Sequence, residues 1–154
     1  SFSGTYGCRA SLAVMFMESI VEGDEWVLVF EDDAIPNVTK EFLSKALEYK
    51  IPQAVNYINL CRQRFKPKKN PQNYSQEIVG TFAILVKKPL MLEYIDYVLR
   101  NPLSPDLQCH SDRLLLHLSE KNKWSIHHKN YFEHTDQYPS TVKWGFPNKK
   151  KNPA

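Results

Sequence analysis

The sequence predicts an α/β fold, a mixed sheet between two layers of helices in a single domain. Three observations lead there. Short apolar runs rich in β-formers, at 26–30, 55–60 and 78–86, alternate with segments whose apolar residues recur at helical spacing. Glycines, prolines and asparagines punctuate the boundaries between them, and alternation of this kind is the pattern of a layered α/β sheet. The 154 residues, 42% hydrophobic and 24% charged, are enough to bury one sizeable core.

Residues 1–7 are small and read as a flexible lead-in. Leu12, Met15, Phe16 and Ile20 then define an amphipathic helix over Cys8–Val21, ending near Gly23. Trp26–Phe30 is solidly apolar and predicts a strand buried on both faces. Three acids follow at once, and Pro36 and Asn37 break the chain. A second helix is expected over Val38–Tyr49, with Phe42, Leu43, Ala46 and Leu47 inward, then a strand over Val55–Leu60. Residues 61–77 lack periodicity and form a basic loop. Strand character returns over Ile78–Val86 around Gly80, and Pro89 suits the first turn of a helix reaching Arg100. After a loop over Asn101–Cys109, Ser111 is the expected N-cap of a helix over Asp112–Glu120. Trp124–His127 and Tyr131–His134 read as two short strands. The division expected is a domain over 1–136 and an extended basic tail over 137–154.

A net charge of +3 is too mild to imply nucleic-acid binding by itself. No apolar run reaches the roughly 18–20 residues a membrane span needs. Cys8, Cys61 and Cys109 are odd in number and widely spaced, which argues for free thiols in a reducing compartment and a cytoplasmic protein.

The chemistry concentrates at Glu31, Asp32 and Asp33. In α/β sheets ligands bind beyond the carboxyl ends of strands, and these acids directly follow one. Three adjacent carboxylates repel one another, and a hard cation such as magnesium or manganese resolves the conflict while bridging to substrate phosphates. An isolated Glu-Asp-Asp is more often a solvated acidic turn; the strand-terminal position is what distinguishes this one.

The stretch WVLVFEDDAIP, Trp26–Pro36, resembles the signature of glycosyltransferase family 25, the lipooligosaccharide and collagen galactosyltransferase group. Its acidic triplet is that family's form of the metal- and diphosphate-binding DXD motif. Gly7-Cys8-Arg9-Ala10-Ser11 is similar to the Gly-Cys-x-x-Ser that opens the preceding helix, with Leu12 where the family has His, which implies a divergent, viral or phage branch. Gly80–Val86 is similar to the glycine-containing strand lining the donor or acceptor site, and Asp112-Arg113-Leu114-Leu115 to the Asp-x-x-Leu helix start carrying an active-site acid. The resemblance covers roughly residues 4–136, and the acidic segment is its specific part. It implies the GT-A (Rossmann-like) fold and metal-dependent, inverting sugar transfer from a nucleotide sugar, a UDP-sugar first, to a glycan hydroxyl. Family members begin with a strand and loop that cradle base and ribose, and the sequence given starts past the position of that unit.

Within this resemblance Asp33 is the first metal ligand, with Glu31 or Asp32 on metal, ribose or water. His134 falls where such enzymes place a late metal-binding histidine; otherwise it is an ordinary surface residue. Gly80 and Arg62 are further donor contacts. Asp112 is the candidate general base, against a simpler role in complementing the helix dipole, and Asp106 is its competitor. His127 and His128 are read as structural. Arg62, Arg64, Lys66, Lys68 and Lys69, interleaved with Phe65, are either a solvated loop or the seat of an anionic acceptor. Tyr74, Trp124, Tyr131, Tyr138 and Trp144 are core or sugar-stacking aromatics. Two competing readings remain open: transfer of sugar to a modified nucleic-acid base, which the Lys149–Lys151 run would suit, and a non-catalytic sugar- or nucleotide-binding remnant.

Overall fold

The computed structural model describes residues 2–48, 50–63, 78–101 and 110–135. The cations Arg64 to Lys69, Tyr74, Asp106, Cys109, Tyr138, Trp144 and the tail from 136 onward lie outside the described residues.

Among the described residues, four helices and five strands follow in the order α1 (Phe2–Glu22), β1 (Trp26–Phe30), β2 (Ala34–Pro36), α2 (Lys40–Glu48), β3 (Val55–Cys61), β4 (Ala83–Lys87), α3 (Lys88–Arg100), α4 (Ser111–Lys121) and β5 (Ser125–His134). The strands form one mixed sheet in the order β1-β4-β3-β5-β2. Only β3 and β5 run parallel; β1 with β4, β3 with β4, and β2 with β5 are antiparallel.

Alternation along β4 separates two cores, because successive strand residues point to opposite faces. Ile84 and Val86 join Leu12, Ala13 and Phe16 of α1, Leu90, Met91 and Tyr94 of α3, and Leu114, Leu115, Leu116 and Leu118 of α4. Ala83 and Leu85 join Val55, Ile58, Leu60 and Phe132, against which Leu43 and Leu47 of α2 pack. The first core is the larger, and Phe16 meets the edge of Tyr94 there at 5.2 Å between centroids. Truncating one of its buried leucines to Ala would cost about 2–5 kcal/mol. Arg9 of α1, fully buried, donates from Nη2 to the Asn101 carbonyl at 2.9 Å and so ties α1 to the end of α3.

Several expectations need correction. Helix α1 begins at Phe2 rather than Cys8, and it stops where Gly23 takes φ +83°, a left-handed ending that suits glycine. Strand β1 is an edge strand, so Trp26, Val27 and Leu28 are half-buried and Phe30 is 46% exposed. The fully buried strand is β3, between β4 and β5. Pro36 closes a strand instead of breaking the chain. It has no N–H to donate, which the outer position of β2 tolerates. In α2, Phe42 is 49% exposed and meets Tyr131 edge-on rather than facing the core. The two strands expected after Trp124 are one, β5, whose pairing with β3 is interrupted between Asn59 and Cys61. Ser111 lies inside α4, whose N-cap is His110.

Candidate metal and donor site

Strand β1 ends where the Glu31 N–H donates to the Phe82 carbonyl at 2.9 Å. A tight turn follows, closed by the Ala34 N–H on the Glu31 carbonyl at 3.1 Å. Strand β2 then pairs with β5 so that Ala34 lies opposite His134, and the Thr135 N–H reaches the Asp33 carbonyl at 3.1 Å. That register is what brings the two distant residues together. His134 Nε2 lies 2.6 Å from Asp33 Oδ2, and the imidazole meets the edge of Phe82 at 5.5 Å. Asp33 Oδ1 is buried and has no hydrogen-bond partner among the described residues.

Glu31 accepts a hydrogen bond from the Thr81 hydroxyl at 2.8 Å. Partial desolvation of its carboxyl raises its pKa above the ordinary value. The Thr81 bond and the His134 charge oppose the rise, and Asp33 and Asp32 add to it. Glu31, Asp33 and His134, the three expected ligands, therefore share one electrostatic neighbourhood with Asp32, which is exposed. Among the described residues no three His, Cys, Asp or Glu side chains are arranged as a ready metal cage.

Residues 78–82 were expected in a strand, but β4 begins only at Ala83. Gly80 takes φ +91°, which bends the backbone out of strand geometry. Side chains hold this strap in place of a ladder. The Gln63 amide accepts from the Val79 N–H at 3.0 Å and donates to the Val79 carbonyl at 2.9 Å. Asn59 Nδ2 donates to the Gly80 carbonyl and to Tyr57 Oη, both at 2.9 Å, while its Oδ1 accepts from the Cys61 N–H at 2.9 Å. The Gly80 N–H donates to Asp112 Oδ2 at 2.9 Å. Both backbone groups of Gly80 are thus turned inward, and the residue positions its neighbours rather than offering a free N–H to a donor.

Asp112 is 7% exposed, and its Oδ1 accepts from the Arg113 N–H at 2.8 Å. Its carboxylate ties the start of α4 to the strap. Beside it, the Ser111 hydroxyl accepts from Tyr94 at 3.0 Å and reaches Cys8 Sγ at 3.8 Å. Burial pushes the Cys8 thiol up, with Glu31 adding to the rise and the Ser111 and Thr81 hydroxyls opposing it. Cys8 thus adjoins Ser111, the neighbour of Asp112, and the Thr81 hydroxyl.

Arg62 is engaged by β5. It is exposed, its N–H donates to the Phe132 carbonyl at 2.8 Å, and its guanidinium is ion-paired with Glu133. Glu133 and His134 are neighbours on β5 and point to opposite faces, so this pair turns away from the Asp33 contact. His128 fits its structural reading, with Nε2 at 2.9 Å from the Cys61 carbonyl.

Asn59, Gln63 and Thr81 are residues of the candidate site that sequence reasoning did not single out. Asn59 alone left a signal: a buried amide in a wholly buried strand must be hydrogen-bonded, so it marks a specific partner. The chain matches no protein-family model, no curated protein and no solved structure.

Proposed function

We propose that the chain is a metal-dependent glycosyltransferase of GT-A type that moves a sugar from a nucleotide-sugar donor to a glycan hydroxyl. The observation that carries this reading is the strand-end carboxylate Asp33, paired through Oδ2 with His134 while Oδ1 is buried and unpartnered. A buried carboxylate oxygen without a donor is costly, and a cation supplies what it lacks. The oxygen and imidazole donors suit manganese or magnesium. Such ions are commonly held by one or two carboxylates with substrate phosphates completing the shell, so a full protein cage is not required.

In this reading Asp33 and His134 hold the metal from the protein side, and Glu31 or Asp32 contacts metal, ribose or water. The metal, when bound, neutralises charge developing on the departing diphosphate. Asp112 is assigned to take the acceptor proton. Each carboxylate oxygen has two lone pairs, so the bonds from Gly80 and Arg113 leave acceptor capacity for a hydroxyl. The reading draws on the coarse α/β character of the fold, a mixed five-stranded sheet with helices packed against both of its cores. No helix among the described residues is long and apolar enough to cross a membrane, and Cys8 and Cys61 are free thiols. The Arg62 ion pair leaves the anionic-acceptor role to the cations beyond it.

The test is a thermal-shift titration with manganese and a panel of nucleotide sugars. Manganese at 100 times its Kd stabilises the wild type by about 2.7 kcal/mol, and Asp33→Asn abolishes the gain. Equal stabilisation of both proteins removes Asp33 from the centre. Asp112→Asn should bind metal and donor normally but lose about 10²–10⁴-fold in kcat; retained turnover removes it as the base.

A further inference from the structure

The strap at 78–82 is clamped far more heavily than a connecting segment requires. Gln63 grips both backbone groups of Val79, Asn59 holds the Gly80 carbonyl, and Asp112 holds the Gly80 N–H. Asn59 is fully buried with both ends of its amide engaged, so it cannot reorient without leaving a polar group unpaired. Downstream, the Phe82 carbonyl is pinned by the Glu31 N–H at 2.9 Å. One residue in this stretch has its side chain turned toward the acids: Thr81, whose hydroxyl donates to Glu31 Oε1. Glu31 is therefore held at both ends, its backbone by Phe82 and its carboxylate by Thr81.

A carboxylate on a surface turn ordinarily samples several rotamers, and ordering it on ligand binding costs free energy. A hydroxyl on a clamped backbone meets part of that cost in advance. We propose that Thr81 is a positioning residue which fixes the Glu31 carboxylate for the metal–diphosphate centre, with Asn59 and Gln63 acting through it to hold the strap. This rests on the metal-centre reading above and adds to it the residue that sets Glu31's orientation. Thr81 touches no reacting atom; its effect on the metal centre passes through Glu31, while its hydroxyl also neighbours the Cys8 thiol.

The experiment measures manganese binding by calorimetry on the full chain, as wild type, Thr81→Val, Thr81→Ser, Glu31→Gln and the Thr81→Val/Glu31→Gln double variant. Valine keeps the shape of threonine and removes the hydroxyl; serine keeps the hydroxyl. Expected are a roughly tenfold weaker manganese Kd for Thr81→Val, recovery to within about twofold for Thr81→Ser, and no further loss when Thr81→Val is added to Glu31→Gln. Circular dichroism melts of the two Thr81 variants should lie close to the wild type, since the contact is near the surface. Wild-type affinity in Thr81→Val, equal weakening by Val and Ser, or additive losses in the double variant would each overturn the proposal while leaving the metal centre standing. A wild type that does not bind manganese removes the metal centre and this inference with it.

Discussion

Gly80→Ala is the sharpest test of the strap. The residue sits at φ +91°, where an L-residue pays about 1–2 kcal/mol. A Cβ there would lie 3.2 and 3.3 Å from Phe82 Cε1 and Cδ1 and 3.6 Å from Cys61 Sγ. The Phe82 ring must then move by a few tenths of an ångström, and its contact with His134 limits that movement. Overpacking of this kind adds on the order of 1 kcal/mol. The sum is about 2–3 kcal/mol, or roughly a 5–10 °C fall in Tm for a chain of this size. Gly23→Ala is the matched control: φ is +83° but nothing lies within 4 Å of the added Cβ, so only the backbone cost applies. Urea denaturation of both variants at constant pH measures the difference. A Gly80→Ala loss no larger than that of Gly23→Ala would refute the close packing of the strap against Phe82. A large loss with unchanged manganese affinity would separate the strap's stabilising role from the positioning of Glu31.

Two further outcomes follow from buried titrating groups. Desolvation lowers the His128 pKa below its ordinary 6.5, although the Cys61 carbonyl and Asn130 oppose the shift. The native state then binds fewer protons than the unfolded chain across that window. Stability is full above about pH 6.5 and falls as pH drops through it toward the folded value. His128→Gln should flatten urea midpoints between pH 7 and 5, and an unchanged slope would remove His128 as the cause. Burial also pushes the Cys61 thiol up to about 12 and raises Cys8, so in a Cys109→Ser background both should react with a disulfide reagent at neutral pH at least about tenfold more slowly than the denatured chain. Native reactivity matching the denatured rate would contradict the burial of Cys61 and the partial burial of Cys8.

Much of the fold was legible because its elements carry local signals. Pro89 marks the start of α3, and the apolar run at Val55 marks β3. Partner choice carried no such signal. Trp26–Phe30 reads as a central strand because its side chains are all apolar, yet β1 lies at an edge, and edge position is a property of the sheet. The strap failed for a different reason. Val79 and Phe82 have strand-like side chains, but Gly80 and the amides of Gln63 and Asn59 decide the backbone, and Gln63 lies outside the segment it controls. Strand propensity was overruled by tertiary hydrogen bonds.

The candidate site divides along the same line. Glu31, Asp32 and Asp33 were legible because adjacent carboxylates after a strand are a local pattern. The Asp33–His134 contact depends on β2 pairing with β5, and three residues ending in proline announce no such pairing. Asp112 is the instructive case. An acid in the first turn of a helix complements the dipole, ties down a loop or accepts a proton, and the sequence alone does not choose among these. Its bond to the Gly80 N–H makes the tethering concrete, and the same bond links it to the site. Gly80 and Thr81 are consecutive, so Asp112 and Glu31 grip neighbouring residues of one clamped strap. Displacing either carboxylate strains the segment that holds the other. A buried Asp112 that accepts one hydrogen bond at each oxygen is thus compatible with a chemical role on one condition: the acceptor hydroxyl must reach the lone pairs that Gly80 and Arg113 leave free.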